Sequence, residues 1–304
     1  MSDFLEDKKN KNLRNFFIKI CGLFILSFLV FIFSITEMTR RDFVDVSFLD
    51  VGQGDGIMIE IHSKDRNPIH IMIDTGRSSR TLTSLDKFYA RDIINYFSNI
   101  ILGENIDTLI LTHNDDDHVG MRCEIISRYH VRHVLISPSM NESQIKKCTP
   151  APNSFTVDYI YTGDEINFRN VNFKILNPNH NQKGDDNNLG IVTLVTIPNA
   201  DQNTKILFTA DIDQKIETNL INKDANSTQP ILKNINILKV AHHGSDGSSG
   251  ENFIKYTHPK TAIISVGKNN YGHPSSRVID LLTFASSTIR RTDKEGNITI
   301  RILN

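Results

Sequence analysis

One stretch constrains this chain more than any other. An apolar run, Leu109-Ile110-Leu111, leads directly into Thr112-His113-Asn114-Asp115-Asp116-Asp117-His118. The run reads as a buried strand, and the residues from Val119 onward read as a helix. The two histidines and the carboxylates between them therefore fall on a strand-to-helix turn, where side chains converge while the backbone reverses. A solvated acidic turn would account for Asn114 to Asp117 alone, but such a turn has no need of a histidine at each end. The spacing His113-x-Asp115-x-Asp117-His118 is that of a hydrolytic metal site in which one turn feeds two ions.

Later segments supply what such a site still needs. The apolar strand ending at Phe208 delivers Asp211, a carboxylate suited to bridge two ions, although an aspartate there could also cap the helix that begins near Asp213. Leu238–Val240 runs into Ala241-His242-His243-Gly244-Ser245, where one histidine, His242, is expected to bind metal. His243 or His273 is expected to protonate the leaving oxygen, and Asp117 to join the catalytic set. Asp55 and Asp74 end strands on tight turns without an accompanying histidine, so they are expected behind the ligands rather than among them. In Val266–Ser275, Lys268 and the helix start at Ser275 are candidates for holding a phosphate.

The pattern of elements predicts an α/β fold. Three strand-like runs, Phe43–Leu49, Gly56–Ile61 and Ile69–Ile73, precede a helical stretch at Ser84–Leu102 and the ligand-bearing strand. Strand and helix then alternate to the end of the chain, as if in two similar halves. This predicts helices packed outside a pair of stacked sheets, an αββα sandwich over residues 43–304 with no internal linker.

The first residues read differently. Residues 1–15 form a basic tail with Lys8, Lys9, Lys11 and Arg14, and residues 16–36 are apolar enough for one membrane-spanning helix. The basic residues before that span outnumber Arg40 and Arg41 after it, which predicts a cytoplasmic tail and an extracytoplasmic domain on a single-pass anchor. A cleaved signal peptide and a buried core helix are the competing readings. The three cysteines, Cys21, Cys123 and Cys148, read as packing residues, with a Cys123–Cys148 bridge left open. With 34 basic and 35 acidic side chains, global charge gives no argument for a polyanionic partner; a nucleic acid would be held by local basic groups and the metals. Few aromatics and no tryptophan argue against stacking of many exposed bases.

Taken together, the ligand motif, Asp211 and His242 resemble the metallo-β-lactamase superfamily. The segments Phe48–Asp55, Asp186–Leu189, Thr209–Asp211, Leu238–Ser245, Ser265–Pro274 and Arg291–Thr299 resemble more closely the C-terminal domain of the ComEC competence family, over nearly all of residues 43–302. That resemblance implies a metal-dependent nuclease that degrades the DNA strand not taken up. The family's multi-pass channel and accessory barrel have no counterpart in the segments read here, so DNA uptake by this chain alone is not expected. Met121 and Ala210 stand where the family commonly has glycine. Asp115 occupies the slot of a second histidine, and Asn187 or Asn188 falls near that of a third. These oxygen donors favour two Mn2+ or Mg2+ ions over Zn2+. The expected function is a membrane-anchored hydrolase of DNA or another phosphodiester. An esterase or phosphodiesterase for cell-envelope or small-molecule substrates is the alternative, and a non-catalytic sensor module is a third. Protein partners are not legible.

Overall fold

A computed structural model describes residues 19–32, 42–64, 66–78, 105–151, 154–200 and 202–303. The basic tail, the linker after the expected anchor and the helix expected at Ser84–Leu102 lie outside the described residues. The chain divides into two units, Met1–Asp42 with Ser63–Arg66, and Phe43–His62 with Asn67–Asn304. In the first, residues 19–32 are helical, with Leu23, Phe24, Ile25, Phe28, Leu29 and Phe31 exposed. No described helix is long and apolar enough to cross a membrane, and residues 16–18 and 33–36 of the expected span are not described.

The second unit contains two seven-stranded sheets among the described residues. The first comprises β1 (Phe43–Phe48), β2 (Gly56–Ser63), β3 (Arg66–Thr75), β4 (Ile106–Leu111), β5 (Val131–Ile136), β6 (Thr156–Tyr159) and β14 (Ile298–Leu303), in the order β14-β1-β2-β3-β4-β5-β6. The second comprises β7 (Glu165–Phe168), β8 (Val171–Asn177), β9 (Val192–Ile197), β10 (Thr204–Phe208), β11 (Ile237–Lys239), β12 (Thr261–Ile264) and β13 (Thr288–Arg291), in the order β13-β12-β11-β10-β9-β8-β7. Each sheet joins an antiparallel part to a parallel one: β3 to β6 run parallel in the first, β10 to β13 in the second.

Strand alternation sorts the apolar side chains into layers. From β2, Ile57, Ile59 and Ile61 face the second sheet, where they meet Phe173, Val195 and Phe208, while Met58 points outward. From β4, Ile110 points inward, and Leu109 and Leu111 point outward to Val119, Met121 and Ile125. The outer face of the second sheet is covered by helices Gln214–Ala225, Glu251–Thr257 and Ser276–Phe284 through Ile216, Leu220, Phe253, Ile254, Val278 and Leu282. Helices therefore cover both outer faces, as the alternation predicted. The parallel strands β3, β4, β10, β11 and β12 all end in the loops that carry the candidate residues, since an α/β sheet presents its chemistry beyond its carboxyl ends.

The cysteines depart from expectation. Cys123, on helix Arg122–Arg128, and Cys148, just after helix Glu142–Lys146, form a disulfide closing a separation of 25 residues, while Cys21 is exposed rather than packed.

Candidate metal centre

The site is organised from below by one buried carboxylate, Asp74, at the end of β3. Its Oδ2 receives His118 Nδ1 at 2.7 Å and the Thr112 hydroxyl at 2.6 Å, and its Oδ1 receives the Thr112 amide at 2.8 Å. Because the Thr112 proton goes to Asp74, its oxygen accepts from His113 Nδ1, 3.0 Å away. Asp74 thus fixes the tautomer of two imidazoles, one directly and one through Thr112, and turns both Nε2 atoms outward as lone pairs. His243 is oriented in the same way from the other sheet, with Nδ1 donating to the Ser265 carbonyl at 2.8 Å.

The outward atoms converge. His113, His118 and Asp211 offer ligand atoms within 4.8 Å of one another, and so do Asp117, His118 and His243. His118 Nε2 lies 3.2 Å from Asp211 Oδ1, and His243 Nε2 lies 3.3 Å from both Asp117 Oδ2 and Asp211 Oδ2. These contacts are close but not aligned as hydrogen bonds: His113 Nε2, His118 Nε2, His243 Nε2 and Asp211 Oδ1 are buried without a hydrogen-bond partner. Buried polar atoms are rarely left unsatisfied, and four converging from three loops fit a divalent cation.

A third grouping, Asp55, Asp74 and His118, lies on the Nδ1 side of His118. Here Lys239, fully buried at the end of β11, sets its ammonium against Asp55 Oδ2 and 3.8 Å from Asp211 Oδ1. Asp55 is therefore held by a lysine and stands behind the ligands. Nothing in the sequence singled out Lys239, because one lysine in Ile237-Leu238-Lys239-Val240 reads as a solvent-facing strand position.

The backbone at the site is strained. Asp74, Ala210, His242 and His243 all have φ between +47° and +57°, a region non-glycine residues enter at a cost of about 1–2 kcal/mol. The two left-handed residues after Ala241 exchange the places expected of the histidine pair. His243 is buried in the cluster, whereas His242 is half-buried at its mouth, with Nε2 3.7 Å from Asp211 Oδ2. Gly54 permits another close approach: a Cβ there would sit 2.1 Å from the Asp117 carbonyl oxygen, which accepts the Asp55 amide at 3.1 Å.

The charges are coupled. Burial alone would discharge Asp211, but His243 and His118 hold its carboxyl well below the usual range. Burial likewise opposes the His243 charge, yet Asp211 and Asp117 push it up to about 9, and Asp211 and Asp74 raise His118. Asp117 is held low against its burial by His243 and His118. At the mouth the direction reverses: burial and neighbouring imidazoles lower both His242 and His273.

A cleft of about 220 Å³ opens over the cluster, lined by Gln53, Arg77, Asp115, Asp117, Asp211, His242, His243, Tyr271 and His273. Asp115 reaches it from the side, with Oδ2 3.6 Å from His113 Nε2. Four other candidates take different places. Ser275 caps the following helix by accepting the Val278 amide, and Lys268 is exposed and does not line the cleft. Asn187 and Asn188 have buried, unpaired side-chain oxygens on a loop joined to Thr112 through the Ile191 amide, but neither enters a ligand group. Arg77, Gln53 and Tyr271 are cleft residues that sequence reasoning did not single out. The only advance sign of Arg77 was a cation directly after the Asp74 turn.

No protein-family model matches the chain. It is 32% identical over 281 residues to ComE operon protein 3 of Bacillus subtilis (86% of this chain, 33% of that protein) and 26% identical over 283 residues to Recombination protein 2 of Haemophilus influenzae (92% and 31%). The chain thus spans about a third of the length of these relatives. Among solved structures it resembles YhfI of Bacillus subtilis, a metallo-β-lactamase fold protein, with TM-score 0.55, 11% identity and coverage of 86% of this chain and 100% of that one. It also resembles the CmlA β-hydroxylase E377D mutant, with TM-score 0.55, 14% identity and coverage of 85% and 54%.

Proposed function

We propose that this chain, a ComEC-like domain of metallo-β-lactamase fold, is a metal-dependent phosphodiesterase acting on DNA from a membrane-anchored position outside the cytoplasm. The observation that carries the hydrolase reading is the convergence of unpaired His113, His118, His243 and Asp211 atoms beneath an open cleft. In this reading His113, Asp115 and Asp211 would hold one divalent ion, and Asp117, His118 and His243 would hold a second. When bound, two such ions would polarise the phosphoryl group and bring the ionisation of water into the neutral range. The carboxylates of Asp115, Asp117 and Asp211 favour Mn2+ or Mg2+.

The chain's own groups do the rest. Arg77 stands at the cleft as a charge for the phosphate, its Nε 3.6 Å from Asp116. His273 and His242 face the same space, and their lowered pKa makes either one, once protonated, a stronger acid toward the leaving oxygen. The names of the competence and recombination relatives support DNA as the phosphodiester. The Cys123–Cys148 disulfide suits an oxidising compartment, which agrees with the orientation expected from the basic tail and the exposed apolar helix.

The test is to strip metals from the detergent-solubilised chain and assay linear single- and double-stranded DNA with Mn2+, Mg2+ or Zn2+, using Asp117→Ala as control. Metal-dependent cleavage abolished by the substitution is expected. Hydrolysis of bis-nitrophenyl phosphate without DNA cleavage would move the substrate to the envelope or small-molecule class, and failure to bind metal would refute the hydrolase reading.

A further inference from the structure

Beside the cluster, rings are arranged in series. The His243 ring is followed by His242 at 6.2 Å between centroids, then His273 at 5.4 Å, then Tyr271 at 5.7 Å. The series begins fully buried and ends on a tyrosine that is 68% exposed. Histidine-to-histidine steps are edge-on and the last step is tilted, so the outer side chain offers a free aromatic face rather than filling a core.

The loop that carries this tyrosine is held rigidly. The Asn269 amide donates to the carbonyls of Gly267 (2.9 Å) and His273 (2.8 Å), and its oxygen accepts the amides of Tyr271 (3.0 Å) and His273 (3.1 Å). Its base is seated at Gly267, whose amide donates to Gln53 Oε1 and where a Cβ would come within 2.3 Å of the Gly52 backbone. A loop with this many internal bonds has no structural need to leave a large ring in water. A ring fixed before its partner arrives avoids the ordering cost of binding.

We infer that Tyr271 is a stacking platform for one nucleobase next to the scissile phosphate, so that the phosphodiesterase proposed above takes a single-stranded or frayed DNA end. Bases inside a duplex have their faces already covered by neighbours, whereas an unpaired base presents its face to an aromatic side chain. A single platform also fits a chain without tryptophan: it grips one nucleotide, not a long strand. The inference rests on the phosphodiesterase reading for its chemistry, but the stacking itself can be read by binding alone.

The experiment compares the full chain in detergent with Tyr271→Ala and Tyr271→Phe, all loaded with Mn2+. Probes are a short oligothymidylate carrying one 2-aminopurine, the same strand with an abasic site in its place, and the corresponding duplex. Tyr271→Ala should raise KM and the dissociation constant for the single strand by about five- to hundred-fold, the range of one base-aromatic stack. The ring also lies 5.7 Å from His273, so the dissociation constant, measured before any turnover, carries the test rather than kcat. Tyr271→Phe should behave as wild type, and 2-aminopurine quenching on binding should disappear only in the alanine variant. Equal weakening toward the abasic strand, or unchanged binding in Tyr271→Ala, would overturn the inference. Should the wild type bind the strand and quench the probe without cleaving any DNA, the stacking platform would stand and the phosphodiesterase reading would fall.

Discussion

Replacing Lys239 with methionine should destabilise the metal-stripped protein by about 3 kcal/mol. Methionine nearly matches the lysine stem, so the change removes charge with little change in packing. Lys239 is fully buried, with its ammonium against Asp55 and 3.8 Å from Asp211 Oδ1. At an effective dielectric of about 20, unit charges at that separation interact by about 4 kcal/mol. Removing one partner of a buried pair typically costs about 3–5 kcal/mol, because the other charge stays behind unpaired. His118 and His243 also face Asp55, with Nδ1 atoms 3.7 and 3.6 Å from its carboxylate, which sets the expectation at the lower end. Urea unfolding in chelator, followed by circular dichroism, reads the effect as a lower midpoint at unchanged slope. For a domain of this size it corresponds to a fall in Tm of about 6–12 °C. Adding Asp55→Asn to Lys239→Met should restore at least half of the loss, as a coupled pair requires. A single-variant loss under about 1 kcal/mol, or a double-variant loss equal to or above the sum of the two single losses, would refute the ion-pair reasoning.

Three further expectations follow from other residues. Because His243 is pushed up to about 9 and His118 is raised as well, filling the site with Mn2+ at pH 7 should release about two protons in all, about one per ion, and affinity should fall as pH drops; calorimetry in buffers of different ionisation enthalpy would detect this, and zero release would remove both histidines from the ligand set. Burial raises Glu217 to about 7 despite the Ser249 and Gly250 amides it accepts. The folded state therefore binds its proton more tightly than the unfolded chain does, and the resulting stability, about 3 kcal/mol, is present below about pH 4.5 and lost as pH rises through 7. Glu217→Gln should flatten that slope in urea titrations across the range, and parallel wild-type and variant curves would contradict it. Ala210→Val should cost about 2 kcal/mol or more because a β-branched residue resists positive φ, whereas Ala210→Gly should stay within about 1 kcal/mol of wild type, strain relief offsetting the lost methyl; equal unfolding midpoints for the valine variant and wild type would refute the strain.

The sequence carried much of this architecture because strand and helix periods differ and the apolar runs are clean. The run Phe43–Leu49 was legible to within one residue of β1, and Ser275 was recognisable as the start of the helix it caps. β7 was missed: Glu165-Ile166-Asn167-Phe168 has only two apolar positions, both half-buried at a sheet edge. The helix expected from Val119 begins instead as one turn at Asp116–Val119 and resumes at Arg122, because Gly120 lies where a Cβ would strike the Asp116 carbonyl and the Ser78 amide. The spacing that flagged His113, Asp117 and His118 is local and so readable in the chain, and Asp211 stood out separately at the end of an apolar strand. Which of His242 and His243 turns inward depends on two left-handed residues in succession, and residue identity does not encode that. Lys239 and Tyr271 were illegible for opposite reasons, a charge where burial is unexpected and an aromatic where exposure is.

The two triads that open on the cleft draw on both halves of the sandwich: His113, Asp117 and His118 follow a strand of the first sheet, and Asp211 and His243 follow strands of the second. Neither half completes one of these triads by itself. An ion held there would act as a rivet across the seam, and affinity for it would belong to the assembled pair rather than to either piece. A chain still emerging, or one whose second sheet had docked out of register, would present imidazoles and carboxylates in the right order and yet hold no ion at the cleft. Loading with metal would then double as an inspection of the finished fold, arming the hydrolase only after both sheets have closed.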